Sequence, residues 1–139
     1  MNEAEGYFIN VRIENIYIKM LIDTGASVTI LRNDIYDNLL SKPKSESVRA
    51  SLVNATGELS PFYGKAYIKL NIGGKPYEHN VLLADIQNEG ILRIDFLKAN
   101  QSNVMISKGY ITIHGKKIRV SHCRMEIKIR VVEFQCTRV

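Results

Sequence analysis

The sequence predicts a compact all-β domain with closed or packed sheets, and three observations support this fold class. Apolar residues alternate with polar ones in many short runs, as in half-buried strands. Turn-forming residues separate these runs at short intervals, and at most two short stretches have helical character. The chain has 139 residues, about the length of one domain, and no linker divides it. We therefore expect a single β core.

The alternation is clearest in the first part of the chain. Two predicted strands each carry four apolar residues at every second position, and Glu14-Asn15 forms the turn between them. Another alternating pair flanks Gly73-Gly74, which predicts a two-residue hairpin turn. The apolar positions of these strands are Tyr7, Ile9, Val11, Ile13, Ile16, Ile18, Met20, Ile22, Ala66, Ile68, Leu70 and Ile72.

Helical and C-terminal segments complete the prediction. Asn33 is expected to cap a short helix from Asp34 to Leu40, and Asp95 to Ala99 forms a helical turn or two. We expect the domain to span residues 1–121 and residues 122–139 to form a C-terminal strand or extension. Within this extension, Met125 to Val132 predicts a terminal strand whose exposed edge favours pairing with another chain.

Composition excludes several classes of protein. The sequence contains no apolar run long enough to span a membrane and no N-terminal secretory pattern. Cys123 and Cys136 are too few for a disulfide framework; they could pair, but we expect free thiols in a reducing, intracellular compartment. The net charge of +5 has a local excess after Lys108, which we interpret as a solvated strand face, with nucleic-acid binding unlikely. His122 with the two cysteines lacks the paired spacing of a metal site, so no metal is expected.

The most informative segment runs from Met20 to Leu31. In it, Asp23 ends an apolar strand and is followed by Thr24 and Gly25. Glycine permits a tight turn and the close approach of a ligand or second chain, and the threonine hydroxyl can fix the loop to a neighbouring backbone. Two such carboxylates brought together by symmetry cannot both ionise, and they therefore share one proton. One of them then activates water while the other polarises a carbonyl.

The segment from Leu21 to Leu31 resembles the active-site loop of retropepsins, the protease family of retroviruses and LTR retrotransposons. A second segment, from Glu89 to Leu97, resembles the C-terminal motif of that family, and the resemblance covers roughly Tyr7 to Val120. It implies a retropepsin-like closed β-barrel monomer with one short helix that forms a two-fold dimer. Because the chain has one Asp-Thr-Gly, the second must come from another copy.

The resemblance also implies the roles of individual residues. Asp23 would be catalytic, with Thr24, Gly25, Ala26 and Ser27 in the active-site loop and a mobile flap over the substrate. Arg93 stands where the family has glycine, so either it reaches solvent or an acidic partner, or the floor of the site is disturbed. The predicted flap residues are Asn54, Ala55, Thr56, Gly57 and Glu58, and the predicted supporting residues are Ile91, Leu92 and Asp95.

These implications lead to a functional prediction. The chain would be an aspartic endopeptidase without cofactor, acting on an extended peptide or a retroelement polyprotein, in the cytoplasm or in a retroelement particle. The alternative is a catalytically inactive retropepsin fold that dimerises or binds peptides, with catalysis lost through Arg93.

Overall fold

The computed structural model describes residues 3–48, 51–53, 59–128 and 131–139, and it consists mainly of short strands. Two short α-helices interrupt them, as many as the sequence predicts at most, and a 3-10 helix adds a third helical segment. The elements are β1 Glu3–Ile13, β2 Ile16–Ile22, β3 Ile30–Arg32, α1 Asn33–Asp37, β4 Ser45–Glu46, β5 Ser51–Val53, β6 Leu59–Pro61, β7 Gly64–Ile72, β8 Lys75–Ala84, β9 Gly90–Leu92, α2 Ile94–Ala99, β10 Asn103–Met105, the 3-10 helix Ile106–Lys108, β11 Tyr110–Ile113, β12 Lys116–Arg119, β13 Ser121–Lys128 and β14 Val131–Arg138.

The main sheet has nine strands in the order β14-β13-β1-β2-β9-β3-β8-β7-β4. It closes on itself because β7 also pairs with β1, where Arg12 lies opposite Asn71. A six-stranded barrel therefore forms, made of β1, β2, β9, β3, β8 and β7. β4 and the β13–β14 hairpin extend the sheet outside it. The predicted all-β class and the closed barrel are confirmed.

The apolar face of each alternating strand points into the barrel. Ala66, Ile68, Leu70 and Ile72 of β7 are all buried, as their spacing predicts. Burial of such side chains is the main favourable term in folding. The first strand departs from the predicted pattern at its start, where Tyr7 is 38% exposed.

Phe8, which has the opposite parity on β1, is buried instead of Tyr7. Its ring meets Phe134 of β14 edge to face, with 5.7 Å between the centroids. The start of β1 therefore buries its other face, because the C-terminal hairpin supplies a second apolar surface there.

One strand of the barrel positions the loop that carries Asp23. β9 lies between β2 and β3, parallel to β2 with Leu21 opposite Ile91, and antiparallel to β3 with Ile30 also opposite Ile91. All three residues of β9 are buried. The chain from Asp23 to Thr29 thus leaves one neighbour of β9 and returns to its other neighbour.

Two predictions for the helices can be compared with the structure. The predicted α2 is confirmed. The predicted cap of α1 is wrong, because Asn33 is the first helical residue and Arg32 occupies the cap position without a side-chain cap bond. Asn33 instead donates to Asp37 over 3.3 Å. No helix in the described part of the chain is long and apolar enough to cross a membrane.

The C-terminal segment differs most from its prediction. In place of one strand from Met125 to Val132, β13 and β14 form an antiparallel hairpin, and β13 pairs with the start of β1. Cys123 lies opposite Cys136 in this hairpin, and the two form a disulfide. The expectation of free thiols is therefore wrong, since the hairpin register brings both side chains to one face. The inference of a reducing compartment loses this support.

Candidate active site

The loop from Asp23 to Val28 has one open face. Thr24, Gly25, Ser27 and Val28 are exposed, and the side chain of Asp23 is 35% exposed. The next residue, Thr29, is completely buried. The loop therefore presents its carboxylate and its small residues outward while its end is anchored inside the barrel.

The start of the loop is fixed by its backbone. The N–H of Asp23 donates to the carbonyl of Leu92 over 3.0 Å, which continues the pairing of β2 with β9. The N–H of Gly25 then donates to Asp23 Oδ1 over 2.9 Å and orients the carboxylate. A Cβ on Gly25 would lie 3.2 Å from the same oxygen, so glycine leaves room for this turn.

The start of α2 holds the middle of the loop. The N–H of Ile94 donates to the carbonyl of Ala26 over 3.3 Å, and the N–H of Asp95 donates to that of Ser27 over 3.0 Å. These N–H groups have no partner within the helix, so the loop carbonyls satisfy them. The predicted supporting segment thus packs directly beneath the predicted active-site loop.

Asp95 fixes the end of the loop through its side chain. Its Oδ1 accepts the Thr29 hydroxyl over 2.7 Å, and the Thr29 N–H lies 3.1 Å from both carboxylate oxygens. The same hydroxyl accepts the N–H of Arg93 over 3.1 Å. His79 Nε2 lies 2.9 Å from Asp95 Oδ2, and so joins β8 to this network.

These contacts change the acidity of Asp95. Partial burial acts to raise the pKa of its carboxyl group, but hydrogen bonds from Thr29, His79 and the Phe96 N–H outweigh that effect. The pKa of Asp95 therefore lies below its usual value, because the donors stabilise the charged form. Asp95 is held as an anion within the loop support.

Arg93 has an acidic partner, one of the alternatives that the sequence left open. Its backbone is extended, with φ −121° and ψ −173°, so the position does not require glycine conformationally. The side chain is 17% exposed, and its Nε lies 3.4 Å from Asp23 Oδ2. Its Nη1 lies 3.4 Å from the carbonyl oxygen of Val28. The guanidinium group therefore spans the inner side of the loop.

The remaining predicted site residues can now be located. Ile91 and Leu92 are buried in β9. Thr24 is exposed, with no recorded bond to another described residue. The predicted flap, residues 54–58, lies outside the described residues, although β5 and β6 on either side of it pair as a hairpin.

Sequence reasoning missed Thr29 and His79. A lone hydroxyl within the apolar run from Val28 to Leu31 was a usable signal, because a buried hydroxyl needs a partner. No local pattern in the sequence links His79 to Asp95. Neither Cys123 nor Cys136 can supply a thiolate ligand, since both sulfurs are in the disulfide.

Comparison with known proteins agrees with this geometry. The profile of the gag-polyprotein putative aspartyl protease family matches residues 9–99. Among solved structures, the retroviral protease-like domain of Ddi1 from Leishmania major is 18% identical with a TM-score of 0.68, over 83% of this chain and 93% of that one. EIAV protease, solved with the inhibitor HBY-793, is 20% identical with a TM-score of 0.59, over 70% and 90% of the two chains. A search of curated proteins finds no significant match.

The closed barrel, with its Asp-Thr-Gly loop held by β9 and α2, defines a retropepsin-like protein. Because the family profile covers more than half of the sequence, the chain belongs to the gag-polyprotein putative aspartyl protease family. The fold and the family are thus those of aspartic proteases.

Proposed function

We propose that the protein is an aspartic endopeptidase whose site is assembled from the Asp23 residues of two copies. One observation carries this proposal: the Asp23 carboxylate lies at the open face of a loop whose backbone is fixed on its inner side by hydrogen bonds to Leu92, Ile94 and Asp95. A loop with a rigid base and an exposed acid suits a site that is completed by a second copy.

The reaction would use two carboxylates with one proton between them. The ionised carboxylate takes a proton from water while the water oxygen bonds to the carbonyl carbon of the peptide. The protonated carboxylate gives its proton to the carbonyl oxygen, which yields a neutral tetrahedral diol. When this diol collapses, the C–N bond breaks. The ionised carboxylate takes one hydroxyl proton and the protonated carboxylate gives its proton to the leaving nitrogen, so the pair again holds one proton.

The hairpin of β5 and β6 would cover the substrate. Its base is joined to the barrel, because the N–H of Tyr63 donates to the carbonyl of Leu83 over 2.8 Å. The hydroxyl of Tyr63 also donates to Asp85, and this charged acceptor raises the pKa of the tyrosine. An extended peptide would add as a strand between this hairpin and the loop. Membership of the family suggests a polyprotein as the natural substrate. The proposed setting is the cytoplasm or a retroelement particle.

Asp23→Asn is the variant that tests the activity. Asparagine keeps the shape of the side chain but cannot exchange the proton, so cleavage of an unfolded protein at mildly acid pH should be lost. Asp37→Asn, which removes an exposed acid on α1, is the matched control and should cleave like the wild type. Cleavage should stop with a statine-type inhibitor and should fall steeply on dilution as dimers dissociate. Equal cleavage by the wild type and Asp23→Asn would sink the proposal.

The second candidate is a dimerising or peptide-binding module without catalysis. It is favoured by the position of Arg93, whose positive charge lies beside Asp23 in place of the expected glycine. A folded dimer that binds unfolded peptide but cleaves nothing between mildly acid and neutral pH would support this candidate. Peptide binding measured together with cleavage separates the two.

A further inference from the structure

The inner side of the active-site loop contains a positive charge that the proposed chemistry does not use. The Arg93 guanidinium lies between Asp23 Oδ2 and the Val28 carbonyl oxygen, 3.4 Å from each. Its Nε makes no aligned hydrogen bond to a described residue, so the contact with Asp23 is electrostatic rather than a directed bond. With 17% exposure, Arg93 is only weakly screened by water.

The charged surroundings of Asp23 are simple in the described part of the chain. Arg93 forms an ion pair with its carboxylate. Two other ionisable groups hold the base of the loop, and there Asp95 binds His79 and Thr29. The neighbours on the loop, Thr24 and Gly25, carry no charge.

We infer that Arg93 is the charge partner of Asp23 and competes with the catalytic proton. This inference rests on the proposed function. Two carboxylates that meet at a symmetry axis retain one proton because their like charges repel. Each copy would bring its own arginine, which is always charged. In the dimer, the two arginines then attract the two carboxylates, and this attraction offsets the repulsion between the carboxylates without a proton.

The consequence is a restriction on catalysis. The dyad needs its proton to protonate the carbonyl oxygen of the substrate, so a doubly ionised pair does not cleave. Arg93, whose Nε lies 3.4 Å from Asp23 Oδ2, stabilises the doubly ionised pair and so opposes the form on which cleavage depends. The enzyme should therefore assemble at neutral pH but cleave mainly at acid pH. Arg93 acts through Asp23 and is a positioning residue, not a catalytic one.

The first experiment compares pH profiles of cleavage on a reduced, alkylated protein between pH 3 and 8. Arg93→Met removes the charge and keeps the length, and the upper pH limit of its cleavage should rise by about one unit. At pH 7 it should cleave about tenfold faster than the wild type. Arg93→Lys should keep the wild-type limit, because it keeps the charge. Arg93→Gly restores the residue of the family and serves if Arg93→Met does not fold.

Arg119→Met is the matched control. It removes one exposed arginine from β12, away from the loop, and should leave the profile unchanged. The inference is overturned if Arg93→Met and Arg93→Gly both keep the wild-type limit, or if Arg119→Met shifts it equally.

A second readout does not depend on cleavage. At pH 7.5, sedimentation should show a dimer about tenfold weaker for Arg93→Met, because the two carboxylates can then meet only by taking up a proton. Adding Asp23→Asn should restore most of the lost dimer affinity, and this coupling would support the pairing of Arg93 with Asp23. That support holds even if no variant cleaves, in which case only the proposed activity fails. Additive effects of the two substitutions on dimer affinity would overturn the pairing. A strictly monomeric wild type would overturn both proposals.

Discussion

Thr29 and Asp95 join two segments that lie 66 residues apart in the chain, through a hydroxyl-to-carboxylate bond of 2.7 Å. Thr29 is the last residue before β3, and Asp95 is in the first turn of α2. The loop that carries Asp23 is therefore closed by a side-chain pair on its buried side, while its outer side stays exposed.

Thr29→Val should destabilise the fold by about 1–3 kcal/mol, because it leaves the Arg93 N–H without its acceptor and Asp95 with one donor fewer. Urea unfolding measures this loss. Thr112→Val is the control, since its hydroxyl oxygen accepts the N–H of Asn103 at an exposed position, and water can replace that bond. Equal losses in both variants would contradict the role assigned to Thr29.

The unfolding free energy should depend on pH through Asp95. Its folded pKa is lowered, so its ionisation stabilises the folded state above the unfolded pKa of about 3.9. This stabilisation should be lost as the pH falls from about 4 through the folded pKa. Urea unfolding between about pH 2 and 6 should show a shallower pH dependence for Asp95→Asn than for the wild type. Asp34→Asn, on the exposed side of α1, is the control, and an unchanged slope in Asp95→Asn would refute the prediction.

Gly90→Ala should disturb the loop that carries Asp23 through β9, which pairs with the strand leading into that loop. The added Cβ would lie 2.9 Å from Met20 Cε and 3.1 Å from Met20 Cγ, and so would press β9 against β2. We expect a loss of about 1–3 kcal/mol in unfolding free energy and a lower rate of cleavage. Because the closest obstacle is a flexible side chain, the loss should be smaller in a Met20→Ala background. Strict additivity of the two substitutions would argue against this contact.

Reduction of the disulfide should weaken the C-terminal hairpin. Cys123 and Cys136 are 13 residues apart, and closing a loop of this size contributes about 3 kcal/mol in the chain-entropy description. Dithiothreitol should lower the unfolding free energy of the wild type by about 2–3 kcal/mol and leave Cys123→Ala/Cys136→Ala unaffected. Thiol titration of the denatured, unreduced protein checks the pairing directly, and two reactive thiols would disprove it.

Much of the barrel could be predicted because local pattern and burial agree. Ile68 and Leu70 are fully buried where the period of two places them, and Gly73-Gly74 forms the expected turn. The site was predictable in part, since Asp23 and Asp95 lie in distinctive segments. The pairing of Arg93 with Asp23 was not, because it depends on β9 passing beside β2.

The C-terminal hairpin was hidden for a different reason. The segment from Met125 to Val132 contains no Gly, Pro, Asn or Asp to mark a turn, so its alternation is typical of one continuous strand. Without the position of the turn, the register that sets Cys123 opposite Cys136 could not be inferred. The burial of Phe8 follows from the same hairpin and was missed with it.

The insertion of β9 between β2 and β3 also bears on the order of events during synthesis. Both flanks of the Asp23 loop leave the ribosome long before the strand that separates them, and α2, which binds its carbonyls, follows later still. Pairings between distant segments form slowly and late. We therefore expect a nascent chain that ends before β9 to be harmless to its surroundings, because the acid that it already contains lacks the strand and the helix that hold its loop in position.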